Sequence, residues 1–255
     1  MEILITNDDG WGTKGILTLV RLMLPFGHVT VVAPDGSRSG MSSAISTGKP
    51  MTLCRLREED ARTPEEAEAV TKADVYVTCG TPADCIKLAI NAIFGGDDSR
   101  IDLLASGINH GHNASVNILY SGTMGACFVA AEHGFPAIGF SLDDHDPDAD
   151  FSHFEPYIPE ITRHLLDTGF KRPVCYNVNA PVGEINGVQW ARQCSGHWEK
   201  ELQPHTDEQG RTYYTLTGNY VNHEPDAEDT DMWCLAHNKI SIQPVSLDMT
   251  AYELL

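Results

Sequence analysis

The sequence predicts an α/β protein: a mostly parallel sheet with helices on both faces, followed by a β-rich C-terminal extension. Three observations lead there. Short apolar runs alternate with helix-like segments through the first two thirds of the chain. Those runs are near-continuous rather than alternating, as strands buried on both faces are. From about Val182 the pattern changes to strands and turn signals.

Taken in order, Glu2–Thr6 reads as the first strand and ends in Asn7-Asp8-Asp9-Gly10, a turn signal. Gly15–Pro25 carries Ile16, Leu17, Leu19, Val20, Leu22, Met23 and Leu24, a mostly apolar helix face. His28–Ala33 is the next strand, closed by Pro34-Asp35-Gly36, and Asp74–Thr78 another. Pro82–Phe94 is a helix with proline suited to its first turn. Asp102–Ser106 and Ala137–Ser141 are strands on either side of a small-residue helix over Gly122–His133. A helix near Pro156–Asp167 and a strand near Val174–Asn177 complete the series. This places a core at 1–181 and an extension at 182–255. In the extension, Val188–Gln193, Tyr213–Leu216 and Lys239–Val245 read as strands, with Asp207-Glu208-Gln209-Gly210 as a hairpin turn. The acidic segments Glu58–Glu68 and Asp143–Asp150 read as solvated loops or helix faces.

The 255 residues include 17 Lys+Arg against 36 Asp+Glu, a net charge of −19, which argues against a broad basic surface for nucleic acid or anionic membrane. A small anionic substrate stays open, because a bound cation or a helix N-terminus overrides the global field locally. No apolar run is long enough to span a bilayer, and Met1–Thr6 has no basic leader region. The seven cysteines form no C-x-x-C pair and several lie among apolar residues. A reducing cytoplasm is the expected compartment.

Parallel sheets gather functional groups at the carboxyl ends of their strands, and three polar clusters fall there. The first is Thr6-Asn7-Asp8-Asp9-Gly10. Adjacent carboxylates repel unless a cation or hydrogen bonds compensate, and oxygen ligands of this kind suit Mg²⁺, Mn²⁺ or Ca²⁺. The same residues also fit an Asx turn before a helix. Adjacent aspartates do not match the D-x-D spacing of an aspartyl-phosphate phosphatase. The second cluster, Ala33–Ser43, offers glycines and serines that could hold phosphate or supply a further oxygen, or simply form a Ser/Gly loop. No G-x-S-x-G elbow surrounds these serines, which leaves a serine-hydrolase triad unsupported. The third, Ser106–Asn113, continues to Tyr120-Ser121-Gly122-Thr123 at a helix start, where free N–H groups favour an anion. His110 and His112 form an H-x-H without a further matched ligand and are assigned no metal. Convergence of the three loops on one crevice points to metal-assisted chemistry on an anionic ligand.

At these same clusters the chain resembles the SurE family, the survival-protein-E nucleotidases. The matching segments are ILITNDDG (Ile3–Gly10), VVAPDGSRSG (Val31–Gly40), GTPADCIKLA (Gly80–Ala89), SGINHGHN (Ser106–Asn113), YSGTMGA (Tyr120–Ala126) and NVNAP (Asn177–Pro181). In the extension the likeness thins to Thr230-Asp231 and Ile240-Ser241-Ile242, and His237-Asn238-Lys239 replace a glycine expected before that strand. The resemblance implies a Rossmann-like core and a 5′-nucleotidase, a metal-dependent phosphomonoester hydrolase acting on nucleoside 5′- and sometimes 3′-monophosphates. It implies metal ligation by Asp8, Asp9, Ser39 and Asn109, all four intact here. The reading is one divalent ion per subunit, Mg²⁺ or Mn²⁺, with Asp8 and Asp9 also the catalytic pair. Gly107, Ser121, Gly122 and Thr123 are the candidate phosphate contacts. The alternatives are a catalytically silent nucleotide- or metal-binding regulator on the same fold, and a broad phosphatase acting on other small phosphoesters or polyphosphate. Homodimers or homotetramers are expected, built partly through the extension, whose Trp190, Trp198, Tyr213, Tyr214, Tyr220 and Trp233 are suited to an interface.

Overall fold

The computed structural model describes residues 1–171 and 173–254, apart from the Glu253 side chain. Its first part follows the predicted alternation: β1 (Glu2–Thr6), α1 (Lys14–Met23), β2 (His28–Pro34), β3 (Cys54–Arg55), α2 (Pro64–Lys72), β4 (Asp74–Thr78) and α3 (Pro82–Leu88). Then come β5 (Leu103–His110), α4 (Gly122–His133), β6 (Ala137–Leu142), α5 (Tyr157–Thr168) and β7 (Val174–Ala180). The remainder contains β8 (Val188–Trp190), β9 (Gly196–Glu199), β10 (Leu202–Thr206), β11 (Thr212–Leu216), β12 (Asn219–Asn222), α6 (Asp231–Ala236) and β13 (Ile240–Ser246).

Nine strands form the central sheet in the order β3-β4-β2-β1-β5-β6-β7-β13-β8. From β4 to β7 every neighbouring pair is parallel, whereas β3 and β13 run antiparallel to the core strand each adjoins. The sheet therefore does not stop at β7. Ser241 to Ser246 pair along β7, and β8 adds an edge beyond them.

The strand period of two sorts β1 between two cores. Ile3 and Ile5 pack with residues of α1 and α5, whereas Leu4 packs on the opposite face with residues of α3 and α4. All three are fully buried, each contributing about 1.5–3 kcal/mol by leaving water. Helix α4 is small-residue rich because it is buried nearly all round. A side chain at Gly125 would strike the Ser42 carbonyl oxygen at 2.1 Å, and one at Gly139 on β6 would strike Met124 Sδ at 2.5 Å.

Strand β5 departs from expectation by continuing past Ser106 to His110. An irregularity between Ser106 and Asn109 interrupts pairing with β6, which resumes as Asn109 opposite Ser141 and His110 opposite Leu142. Such bulges re-aim side chains. Gly107 sits in it at φ +123°, and a Cβ there would lie 2.3 Å from the Phe140 carbonyl oxygen. The bulge delivers Asn109 and His110 to the end of the sheet where β1 releases Asp8 and Asp9.

In the extension, β9 pairs with β12 and β10 with β11, all antiparallel, making one long arm around the predicted turn. Asp207 shapes that turn by accepting from the amides of Gln209 and Arg211 at 3.0 and 2.8 Å. The acidic Glu58–Glu68 segment is less solvated than expected. Glu66 is 2% exposed and pairs with Arg62 at 3.1 Å, its carboxylate packed beside Gly12. No helix among the described residues is long and apolar enough to cross a membrane.

Candidate active site

At the carboxyl end of β1 the two aspartates meet different surroundings. Asp8 is 4% exposed, and its Oδ1 accepts the Thr123 hydroxyl at 2.6 Å. Burial, and after it the negative charge of Asp9, push the Asp8 carboxyl up to about 6, against the Thr123 hydroxyl and the Gly122 amide, which stabilise the carboxylate. Asp9 is half-buried and leans the other way. Its Oδ2 accepts the His110 amide at 3.2 Å and lies 2.9 Å from His110 Nδ1, which therefore acts as donor. His110 Nε2 is buried without a hydrogen-bond partner, and Phe151 packs edge-on against the ring at 5.3 Å.

Asp8, Ser39, Asn109 and Ser121 line one cleft of about 230 Å³. Asp9 and Ser39 line an adjoining one of about 780 Å³, and Ser39, His110 and His145 are common to both. The four predicted ligands are therefore neighbours around one set of strand ends. Ser39 is exposed, with its hydroxyl 2.9 Å from that of Ser37. The loop bearing it is tied to the aspartates, because the Arg38 amide donates to the Asp8 carbonyl at 2.6 Å. Asn109 donates Nδ2 to the Gly111 carbonyl at 2.6 Å, which orients the amide and leaves Oδ1 as an acceptor.

The candidate phosphate residues divide into groups. Ser121 caps α4 through its hydroxyl, accepting the Met124 amide at 3.0 Å, and lines the cleft. Gly122 abuts Asp8 so closely that a Cβ would lie 2.7 Å from Asp8 Cβ and 2.9 Å from Oδ2. Thr123 is fully buried with its hydroxyl committed to Asp8, so its side chain supports the carboxylate and only its backbone is left for an anion. Gly107 is buried in the β5 bulge and is not among the residues that line the cleft. Sequence reasoning missed both supporting contacts, Thr123 on Asp8 and His110 on Asp9. They span 115 and 101 residues, and no local pattern signals them.

The donor set suits a hard divalent cation: two carboxylates of which one is driven towards protonation by burial and its neighbour, a hydroxyl, and an amide oxygen. Among the described residues, no group of three or more His, Cys, Asp or Glu is placed to hold a metal, and the two other candidate donors, Ser39 and Asn109, are neutral oxygens. His112 lines the same cleft as Asp8, Ser39 and Asn109, with its ring nitrogens turned to other partners. Its Nδ1 accepts the Ala114 amide at 3.2 Å, Nε2 is 3.9 Å from Asp143 Oδ1, and burial pushes its pKa down.

Known proteins match this chain along nearly its whole length. A solved structure, the SurE protein from Aquifex aeolicus, superposes with a TM-score of 0.82 at 27% identity, covering 100% of this chain and 97% of that one. The 5′-nucleotidase SurE of Flavobacterium psychrophilum is 43% identical over 254 residues, 98% of this chain and 93% of that protein. The protein of the same name from Phocaeicola vulgatus is 41% identical over 254 residues, 99% of this chain and 93% of that protein. The family model described as Survival protein SurE matches residues 3–200, from β1 through the aspartate pair and the Ser121–Thr123 helix start into the arm, and the chain belongs to the SurE family.

Proposed function

We propose that this chain is a metal-dependent phosphomonoesterase that removes phosphate from nucleoside 5′-monophosphates, and from 3′-monophosphates as a secondary substrate. Its relatives are named 5′-nucleotidases, and the enzyme class follows from that kinship. The observation that carries the chemistry is the buried Asp8 beside Asp9, packed against Gly122 at the start of a helix whose capping Ser121 lines the same cleft.

Asp8, Asp9, Ser39 and Asn109 would hold one Mg²⁺ or Mn²⁺ ion. When bound, such an ion supplies positive charge to a phosphate oxygen and lowers the pKa of a nearby water. The protein does the rest. Thr123 and His110 fix the two carboxylates, so that neither must reorganise during the reaction. The start of α4 binds phosphate through backbone N–H groups, with the positive end of the helix dipole behind them. His110 orients Asp9, and neither it nor His112 is a metal ligand. The cytoplasm is the proposed compartment, in keeping with seven cysteines that are all free.

Assembly belongs to the same reading. Leu202, Tyr213, Tyr214 and Leu216 on the arm are all more than half exposed, and an edge of this kind is suited to pairing with a second copy in a homodimer or homotetramer. One experiment tests the activity: phosphate release from a panel of nucleoside 5′- and 3′-monophosphates, sugar phosphates and short polyphosphate, with and without chelator. The expected result is release from nucleoside monophosphates that chelation stops and Mg²⁺ or Mn²⁺ restores. Tight nucleotide binding with no release would instead identify a silent regulator.

A further inference from the structure

The arm and α6 bond to the turn between β5 and α4 beside the cleft, through polar contacts that are buried or part-buried. Asp231, at the start of α6, has no exposed surface. Its Oδ2 accepts the Ser115 amide at 2.8 Å, and Oδ1 accepts the amides of Cys194 and Met232 at 2.9 and 2.8 Å. Ser115 is itself fully buried, and its backbone is left-handed at φ +54°, a conformation that non-glycine residues adopt only when their surroundings impose it. Its hydroxyl donates to the Cys194 carbonyl at 2.9 Å and accepts from Tyr220 OH at 2.6 Å. Two residues on, Asn117 Oδ1 accepts the Trp198 indole N–H at 2.8 Å, and Trp198 packs edge-on against Tyr220 at 5.9 Å.

What this holds is the wall of the cleft. Asn117 and Tyr120 both line it, and Ser121 and Gly122 follow directly, beside Asp8. The Tyr120 carbonyl also accepts the Ser42 amide at 3.0 Å, which ties the turn to the loop bearing Ser39. The turn is thus a joint between both sides of the site, anchored from behind by residues 79 to 116 positions away.

We infer that Asp231 is a positioning residue for the active site, acting through the left-handed Ser115 to fix the 115–120 turn, with Tyr220 as the second anchor. The inference rests on the phosphomonoesterase reading above. A carboxylate suits the position because it only accepts, and three amide donors converge on it. An asparagine of the same shape must turn its NH₂ towards at least one of those amides.

The test uses the full chain with Asp231→Asn, read by steady-state kinetics with a nucleoside monophosphate and by amide hydrogen exchange of the metal-free protein. KM is expected to rise about tenfold with a smaller change in kcat, the cost of a misdirected buried donor. Exchange is expected to quicken in the 114–123 segment while β1 and β2 keep their protection. Tyr220→Phe removes one hydroxyl without touching the carboxylate and should move both readouts the same way, about threefold in KM. It decides the matter if Asp231→Asn does not fold. Wild-type KM with unchanged exchange at 114–123 overturns the inference, as does a uniform loss of protection with wild-type KM, which marks a purely structural residue. Failure of the wild-type chain to release phosphate is a different result: it removes the functional reading and leaves the exchange pattern to judge the anchoring.

Discussion

Ile3, Leu4 and Ile5 at the centre of the sheet are fully buried by helices of their own chain, whereas Leu202, Tyr214 and Leu216 on the arm are 61%, 61% and 79% exposed. Both segments are strands rich in apolar side chains. The difference is what stands on either side of them. β1 lies between two paired strands and two helical layers, so its carboxyl end is a fixed platform and the aspartates after it inherit that rigidity. Among the described residues β10 and β11 pair with one another alone, and Leu202, Tyr214 and Leu216 stay more than half exposed. A buried strand end is suited to hold charge in place, and an uncovered arm to find a second surface. The base of the arm, β9 and β12, lies between these extremes through its bonds to the 115–120 turn.

The largest effect that would break this contrast is at the platform. Asp8→Asn and Asp9→Asn keep the shape of the site and remove one charge each. Turnover with Mg²⁺ should fall on the order of 10²–10³-fold with an unchanged circular dichroism spectrum. Wild-type turnover in either variant at limiting metal removes that residue from the ligand set.

Next comes the packing behind Asp8. Gly122→Ala places a methyl group 2.9 Å from Asp8 Oδ2, so the carboxylate must shift. Small displacements of reacting groups are costly, and roughly tenfold to a hundredfold loss of kcat/KM is expected in an assay at saturating metal.

The platform also carries a pH signature. The folded Asp8 carboxyl, at about 6, lies above its ordinary 3.8, so the folded metal-free protein binds the proton more tightly than the unfolded chain. Stability contributed by this group therefore falls as pH rises from about 4 to 6 and stays lower above that. Asp8→Asn lacks the penalty. Urea unfolding of the metal-free proteins should show the variant about 3 kcal/mol more stable at pH 7.5, with the gap closing near pH 4.

The smallest effect on folding is expected where the sheet is not involved. Replacing residues 200–218 with a two-residue turn removes β10 and β11 and keeps the β9–β12 pairing. The melting temperature of the core should move by no more than about 4 °C, while light scattering after size exclusion should report a smaller assembly. An unchanged assembly would take the arm out of the interface.

Much of the fold was legible from periodicity alone, because each core strand needs an apolar run and each helix an apolar face. Glu2–Thr6, His28–Ala33 and Asp74–Thr78 are strands for that reason, and Pro82 and Ser121 mark helix starts by local chemistry. The sheet's last two strands were seen as strands but not as part of it. Pairing of β13 with β7 joins residues more than sixty positions apart, and register carries no local mark. The extension of β5 to His110 was hidden likewise, since a bulge around Gly107 reads as a loop in one dimension.

In the site the division is similar. Which residue types stand at the strand ends was readable along the chain: the carboxylate pair Asp8–Asp9, the Ser/Gly loop with Ser39, and the Asn109 and Ser121 segments. How the two carboxylates differ depends on the packed fold. Asp8 is buried against Thr123 and Gly122, which raises its affinity for a proton, and Asp9 is turned to His110. The fold likewise decided that Ser115, in an unremarkable stretch of sequence, is held left-handed by Asp231. Burial and long-range hydrogen bonds are properties of the packed chain, and they set the energy of a charge or a turn that sequence only names.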